Sequence, residues 1–204
     1  MAAAVGAALP RSAVTRDAAL TVTGARPPDQ RDDLADGHQQ CERPGDLAAA
    51  GDEVVPLAEQ DRSRWNTAQI AEGRALLDEA VMAGARDSYA VQAAIASLQL
   101  EDAIDWPAIV ALHDRLREQA DAPVIRLNQA VAVAEARGPG PALALVEALD
   151  LSDYRYFHST RAELLRRLGR PDQARAAYDE ALARTTTDAE RHFLARRRDS
   201  LDII

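Results

Sequence analysis

Apolar residues recur at intervals of three and four positions from about residue 61 to the C-terminus, which is the periodicity of amphipathic helices. The pattern breaks at glycines, prolines and short polar stretches, so it predicts about eight helices joined by short turns. No stretch alternates with the period of two that is typical of a strand. The predicted fold is therefore all-α, an antiparallel helix-turn-helix array. The predicted helices cover 62–82, 88–100, a segment after Asp105, a segment from Pro123, then 141–149, 154–168, 171–184 and a segment after Thr187.

Capping residues mark several of these predicted boundaries. Asp61 and Asp105 are placed to accept backbone N–H groups at the first turns of two helices. Thr187 and Glu190 have the spacing of a capping box, in which each side chain accepts a backbone N–H from the other residue. The helix that starts at Pro123 is expected to end before Gly138. Its inward-facing residues are predicted to be Val124, Leu127, Ala130, Val131 and Ala134.

Residues 1–55 lack this periodicity. A short helix is predicted only near Ala2–Leu9; apolar residues such as Leu20, Val22 and Leu34 occur singly, prolines and glycines interrupt the segment, and acidic residues outnumber basic ones. A segment of this composition buries too little apolar surface to compensate the entropy of folding. We therefore predict a disordered N-terminal tail over 1–55 and a helical domain over 56–204. A role for the tail in interaction with other molecules is the alternative that this composition leaves open.

The sixth and seventh predicted helices carry the residue order of a tetratricopeptide repeat. Its matching positions are Ala162, Leu165, Leu168, Gly169, Ala174, Tyr178 and Ala181. Gly169 suits the tight turn, and the alanines allow the two helices to approach closely. The array is therefore predicted to be tetratricopeptide-like. Stacked pairs of this kind form curved surfaces that bind proteins or peptides, so no enzymatic activity is expected.

Composition and charge indicate further what kind of protein this is and which ligands it is not expected to bind. Hydrophobic residues make up 47% of the chain but aromatic residues only 4%, which suits close-packed helices. The net charge is −9, so the chain is not expected to bind DNA or an anionic membrane by itself. No apolar run approaches the roughly 18 residues of a transmembrane helix. The single cysteine, Cys41, excludes an internal disulfide. These features predict a soluble cytoplasmic protein.

The sequence contains no recognisable motif for catalysis or for a cofactor. The four histidines are far apart, and no pair has the spacing that brings two metal ligands onto one helical face. His113 and His158 are interpreted as partly buried helix residues. The stretch Gly138–Pro141 lacks the backbone N–H groups and the following lysine of a phosphate-binding loop. No catalytic residue, metal ion or cofactor is expected.

The polar cluster Glu59–Trp65 has two interpretations. It can be the capped start of a helix with Trp65 as an anchor. Alternatively, Arg62 and Arg64 can pair with carboxylates across a groove or hold a partner segment. The candidate interaction site comprises Asp61, Arg62, Arg64, Trp65, Asn128, His158 and Arg161.

A set of short motifs recurs in order over about three-quarters of the chain. They are Leu57–Trp65, Ile70–Gly73, Tyr89–Ile95, Asp105–Trp106, Pro123–Asn128, Ala130–Val133, Arg161–Gly169, Glu190–Arg191 and Phe193–Leu194. On these motifs, the chain from about Ala49 resembles the C-terminal tetratricopeptide-like extension of extracytoplasmic-function (ECF) RNA polymerase sigma factors. The resemblance implies a bacterial cytoplasmic domain that regulates transcription initiation, with RNA polymerase or sigma-factor domains as partners.

The sequence departs from that family in its N-terminal part. Residues 1–50 are too short and too polar to form the clamp-binding domain or the helix-turn-helix of a sigma factor, and no basic recognition helix occurs. We therefore expect a truncated or frame-shifted form that does not recognise promoters alone. A free-standing scaffold that binds a peptide or protein is the first alternative, favoured if the candidate residues converge on a groove. A small-molecule sensor is the second, favoured by a deep pocket lined by His113 or His158.

Overall fold

The computed structural model describes residues 54–203. The predictions for residues 1–53, including almost all of the tail and Cys41, lie outside the described residues. The described part of the chain contains eight α-helices and three short 3-10 helices and has no strand. The α-helices are α1 (Thr67–Met82), α2 (Ser88–Gln99), α3 (Trp106–Gln119), α4 (Pro123–Arg137), α5 (Pro139–Glu147), α6 (Arg155–Arg167), α7 (Pro171–Ala183) and α8 (Asp188–Asp199). The 3-10 helices are Leu57–Glu59, Arg62–Arg64 and Ser200–Ile203.

The helices form the predicted antiparallel array. Each helix packs against the next one along the chain, and α4 also contacts α6. Short connections make consecutive helices antiparallel. The contact between α4 and α6 is the one expected between the first helices of successive helix pairs in a tetratricopeptide-like array. The predicted fold class is therefore confirmed for residues 54–203.

A single hydrophobic core runs from α2 to the end of α8. Its largest fully buried side chains are Tyr178, Ile109, Leu127, Leu165 and Val146. Alanines fill much of the remaining interface between helices. Those with no exposed surface are Ala130, Ala142, Ala162, Ala174 and Ala181. Because these side chains are small, the backbones of neighbouring helices approach closely, as the low aromatic content of the sequence predicts.

The repeat formed by α6 and α7 has the predicted geometry. Gly169, in the turn, adopts a left-handed backbone with φ +67°, which side chains larger than hydrogen adopt at a cost. Ala162 and Ala174 are fully buried at the contact between the helices. The Tyr178 ring fills the groove beside them, and its hydroxyl donates to Glu163 Oε2 at 3.1 Å. The roles assigned to these residues are therefore confirmed.

The start of the first helix differs from the prediction. Asp61 caps the 3-10 helix Arg62–Arg64, since its Oδ1 accepts from the backbone N–H of Ser63 at 3.0 Å. Trp65 is extended, and Asn66 then caps α1 by accepting from the backbone N–H of Gln69 at 3.1 Å. The helix predicted from Arg62 therefore begins at Thr67. The prediction was wrong because a second capping residue, Asn66, directly follows the polar cluster and starts the α-helix.

Three smaller predictions also need correction. The fifth helix begins at Pro139 instead of Pro141, because the first turn of a helix tolerates proline at either position. Val124, predicted to face inward, is exposed. The capping box at Thr187 does not form, since the Thr187 hydroxyl donates to Glu190 Oε2 and its side chain accepts no backbone N–H. The other carboxylate oxygen of Glu190 is bound by α6, which draws this side chain away from the backbone of Thr187.

Candidate functional site

The inner side of the array contains a cavity of about 70 Å³ that is partly open to solvent. Its walls come mainly from α4, α6 and α8, which are alternate helices along the chain. Alternate helices line the concave face of a stacked array, so we call this cavity the concave groove. Its apolar wall consists of Val54, Val131, Ala134, Leu164, Phe193 and Leu194. The volume is several times the roughly 10–15 Å³ that one water molecule requires.

Ion pairs reinforce the walls of the concave groove. Arg167 of α6 donates to Glu135 of α4 at 2.7 Å, which ties these alternate helices together. Arg155 of α6 donates to Glu190 of α8 at 3.1 Å. All four side chains are mostly buried, with 30% or less of their surface exposed. Salt therefore screens these pairs less than it screens a surface pair, and they hold the groove helices at a defined spacing.

Tyr156 joins the ion pair between α6 and α8. Its hydroxyl donates to Glu190 Oε1 at 2.9 Å and accepts from Arg155 Nη2 at 2.8 Å. Burial raises the pKa of the Tyr156 hydroxyl, so that this group stays protonated and donating at neutral pH. The hydrogen bond to Tyr156 raises the pKa of Arg155. The three side chains therefore form a fixed network, which suits a binding surface.

Two polar atoms at the concave groove are buried without a hydrogen-bond partner among the described residues. They are the Thr160 hydroxyl oxygen and Arg155 Nε. Thr160 is only 3% exposed and lines the groove. A buried polar group left unpaired costs about 1–3 kcal/mol. A ligand that brought a donor or acceptor into the groove would recover part of that cost.

The first group of predicted site residues anchors the chain before α1. Arg62 donates to the carbonyl oxygens of Leu100 and Glu101 at 3.2 and 2.9 Å, and its guanidinium lies 4.8 Å from the centre of the Trp65 ring. Asp61 caps the adjacent turn, and Arg64 is exposed. Arg62 also pairs with the Asp102 carboxylate at 3.1 Å. The cluster therefore combines a capped turn and a tryptophan anchor with the carboxylate pairing that the alternative interpretation expected of Arg62. Arg62 holds this start against the connection between α2 and α3.

The second group lies on α4 and α6. His158 is buried, and its Nε2 lies 2.6 Å from the carbonyl oxygen of Ser152. Because a carbonyl only accepts, Nε2 carries the proton. Arg161 pairs with Glu147 of α5 at 3.3 Å, and Asn128 is half-buried on α4. The hydrogen bonds and ion pairs of these residues do not join them to the first group. None of the seven candidate residues lines the concave groove.

The residues that do line the groove were missed by the sequence reasoning. Those on α6 are Tyr156, Ser159, Thr160, Glu163, Leu164 and Arg167, with Arg155 at its start. Their spacing of three and four positions places them on one helical face. That spacing is visible in the sequence, but the face mixes charged, polar and apolar residues. Only the packing of this α6 face against α4 and α8 shows that it is an inner surface.

Three apolar side chains are exposed near the junction of α1 and α2, beside the exposed polar residues Glu72, Asp78 and Glu79 of α1. No side chain of α1 is fully buried. Val81 is 44% exposed, Met82 is 89% exposed, and the nearby Tyr89 of α2 is 54% exposed. We call these three residues the α1 end. At the opposite end of the array, the last turn of α8 carries Arg196–Arg198, of which Arg197 lines the concave groove.

His113 is a buried histidine of α3 whose Nδ1 has no hydrogen-bond partner in the described part of the chain. Burial lowers the pKa of His113 to about 4, against a smaller opposing effect of the Asp114 carboxylate. The imidazole is therefore neutral at physiological pH. Between residues 54 and 203, no cluster of three or more His, Cys, Asp or Glu side chains is arranged to hold a metal ion. No helix in that range combines the length and apolarity that crossing a bilayer requires.

Comparison with known proteins adds two matches. Residues 42–81 match a family described as "Family of unknown function (DUF6596)". A stretch of 154 residues, 72% of the chain, is 40% identical to "Uncharacterized protein R00370" of Rhizobium meliloti (strain 1021). That stretch covers 36% of the Rhizobium protein, so the chain spans little more than a third of the length of this relative. No solved structure matches the chain.

Proposed function

We propose that this chain is a regulatory, protein-interaction domain of the ECF sigma-factor type that controls transcription initiation. It acts by binding and not by catalysis, and it does not recognise promoter DNA by itself. The observation that carries the proposal is the exposed apolar α1 end. The resemblance of the sequence motifs to sigma-factor extensions suggests the class of partner, which is sigma-factor domains or RNA polymerase.

The exposed α1 end supports a partner at this position. The terminal helix of a stacked array normally presents a polar outer face, because it has no further repeat to cover it. Two exposed side chains of the terminal helix α1, Val81 and Met82, are apolar instead. Exposed apolar groups that lie together at one end typically mark a contact surface. The match over 42–81 covers α1 as far as Val81, and the Rhizobium relative is longer than the chain.

The first test reads the DNA upstream of the Met1 codon in all frames. Segments that resemble the clamp-binding and helix-turn-helix domains of a sigma factor are expected there. If they are absent, the sigma-factor assignment fails, and a free-standing scaffold replaces it.

The second test measures binding between those segments and this chain by isothermal titration calorimetry. Val81→Asp is expected to weaken binding at least about tenfold, because it places a charge in an apolar contact. Leu145→Asp on α5 is the matched control, since Leu145 is 43% exposed and Val81 is 44% exposed. The control is expected to leave binding unchanged. Equal effects of the two variants, or no binding by the unaltered chain, would contradict the proposal.

A scaffold that binds a peptide in the concave groove is the second candidate function. The apolar wall and the unpaired Thr160 hydroxyl favour it. The geometry does not favour a small-molecule sensor, because the groove is partly open and neither His113 nor His158 lines it.

A further inference from the structure

Part of the wall of the concave groove comes from a segment that precedes the helical array. Among the described residues that line the groove, Val54 lies before α1, and the others lie between positions 131 and 197. Five residues after Val54, Glu59 Oε1 accepts from Arg197 Nη2 of α8 at 2.6 Å. We call residues 54–60 the strap. The strap precedes the first helix in sequence, and yet it is attached to the last one.

The strap has a defined local shape. The Gln60 side chain donates to the carbonyl oxygen of Val55 at 3.1 Å, and the backbone N–H of Glu59 donates to the carbonyl oxygen of Pro56 at 2.9 Å. Pro56, between these positions, is buried. These contacts connect the two ends of the strap, so that the position of Glu59 on α8 sets the position of Val54 at the groove.

The chain directly after the strap is fixed by a separate contact. Arg62 donates to the carbonyl oxygens of Leu100 and Glu101 in the connection between α2 and α3, at 3.2 and 2.9 Å. Arg62 follows Glu59 by three residues, and three residues span at most about 11 Å. The anchor at Arg62 does not involve α8. It therefore remains in place when Glu59 leaves Arg197, and the strap can move about this end.

The ion pair that attaches the strap is more exposed than the pairs that hold the groove helices together. The Glu59 side chain is 52% exposed, whereas the carboxylates that pair with Arg155 and Arg167 across the groove are 15% and 16% exposed. Water and salt weaken an exposed pair more than a buried one. The strap is therefore the part of the groove wall that is released most readily.

We propose that the strap is a gate on the concave groove, which the ion pair of Glu59 with Arg197 keeps closed and which opens to expose the groove around Thr160. This inference does not depend on the sigma-factor assignment. It rests on the position of Val54 in the wall and on the attachment of the strap to α8. The Thr160 hydroxyl, buried in the groove without a hydrogen-bond partner in the described part of the chain, is a polar group that opening makes available to a ligand.

The test measures how fast a thiol inside the groove reacts. Cys41, the only cysteine, is replaced by serine, and Thr160→Cys introduces one thiol in the full chain. Methyl methanethiosulfonate, a small thiol reagent, is added, and mass spectrometry follows the modification. Glu59→Arg is expected to raise the rate by about fivefold or more, because it removes the ion pair and places two like charges together. Equal rates with and without Glu59→Arg would overturn the proposal.

Asp179→Arg is the matched control. Asp179 pairs with Arg198, the neighbour of Arg197 on α8, at 3.0 Å, and its side chain is 54% exposed. The substitution makes the same change of charge at an exposed carboxylate bound to α8, but Asp179 is not part of the strap. It is expected to leave the rate at Thr160→Cys unchanged. An increase as large as that caused by Glu59→Arg would show that a loosened α8, and not the strap, exposes the thiol.

A second thiol position separates opening of the gate from unfolding of the chain. Val146 of α5 has no exposed surface and does not line the groove. Val146→Cys, made in place of Thr160→Cys, therefore reacts only when the core opens. Glu59→Arg is expected to leave this rate unchanged. The same acceleration at both positions would indicate a general loss of stability and would contradict the gate.

Salt tests the ion pair in a chain whose strap is unaltered. Raising the ionic strength from about 0.1 M to about 1 M shortens the Debye length from about 10 Å to about 3 Å. The rate at Thr160→Cys is expected to rise over this range, and to rise less when Glu59→Gln has already removed the charge. The same dependence on salt with and without Glu59→Gln would overturn the role of Glu59 in keeping the groove closed.

Discussion

Helices α1 and α6 are similar in length but differ in how they are held. α1 has sixteen residues and no fully buried side chain, whereas α6 has thirteen residues and five buried ones. α6 contacts α4, α5 and α7, and α1 packs against α2. A helix in such an array is stabilised mainly by apolar surface buried against its neighbours. The comparison indicates that stability is concentrated in α3 to α7 and that the N-terminal part is weakly held.

Polar contacts partly compensate for the small buried apolar surface of α1. Arg62 and Arg74 both bind the connection between α2 and α3, where Arg74 pairs with Glu101 at 2.9 Å. These groups are half-exposed, and exposed ion pairs typically contribute about 0–1 kcal/mol each. They therefore position α1 without giving it a core. This arrangement suits a region whose stability depends on a partner at the α1 end.

The largest expected effect is the difference in lost stability between a leucine truncated in α6 and a leucine truncated in α1. Leu165 of α6 has no exposed surface, so Leu165→Ala is expected to lower the free energy of unfolding by about 2–5 kcal/mol. Leu77 of α1 is half-buried, so Leu77→Ala is expected to cost about 1 kcal/mol or less. Urea denaturation followed by circular dichroism measures both. Equal losses would show that α1 is as firmly packed as α6.

Acidification should destabilise the central helices through His113. Its pKa in the folded chain is about 4 against an ordinary value of 6.5. A lowered pKa means that the folded chain binds the proton less readily, so stability is full above pH 6.5 and falls as the pH drops to 4. The expected loss is on the order of 2–3 kcal/mol.

The measurement for His113 compares the free energy of unfolding at pH 7 and pH 4 in unaltered chain and in His113→Gln. Carboxylates also titrate in this range, so the difference between the two proteins isolates the histidine. His192→Gln, at an exposed position on α8, is the matched control and should follow the unaltered chain. If the free energy of unfolding of His113→Gln depends on pH as it does in the unaltered chain, the buried imidazole does not cause the loss of stability in acid.

Replacement of a glycine by alanine is expected to lower stability in the α6–α7 turn and to raise it in α1. Gly169 has φ +67°, so Gly169→Ala is expected to cost about 1 kcal/mol. Gly73 lies inside α1 with open space around it, so Gly73→Ala is expected to stabilise by about 0.5–1 kcal/mol. Thermal unfolding of both variants measures whether each substitution raises or lowers stability. A gain in stability for Gly169→Ala would contradict the left-handed turn.

Local signals in the sequence predicted most of the fold. Asp105 and Pro123 start helices where the capping pattern and the proline rule place them. The small residues of the α6–α7 repeat occupy their expected positions. The error at the start of α1 arose because two local signals competed. Asp61 and Asn66 are both good capping residues, and the sequence alone does not show which one starts the α-helix.

The candidate site was much less accessible to sequence reasoning. The sequence motifs predict an interaction site of polar residues, but Arg62 and His158 of that set bind backbone carbonyl groups in the connections between helices. The groove network of Arg155, Tyr156 and Glu190 joins residues up to 35 positions apart. No spacing rule links residues at that distance. Their proximity depends on how α6 and α8 stack around α7.

The sequence by itself determined the helices, their order and their all-α class, because periodicity, capping and turn formation act between residues a few positions apart. Only the tertiary structure decided which helical faces form the concave groove and which apolar side chains stay exposed at the α1 end. The ion pair between Glu59 and Arg197, 138 residues apart in sequence, shows the reason. Such contacts exist only after the helices have stacked, since stacking brings distant side chains together and removes them from water.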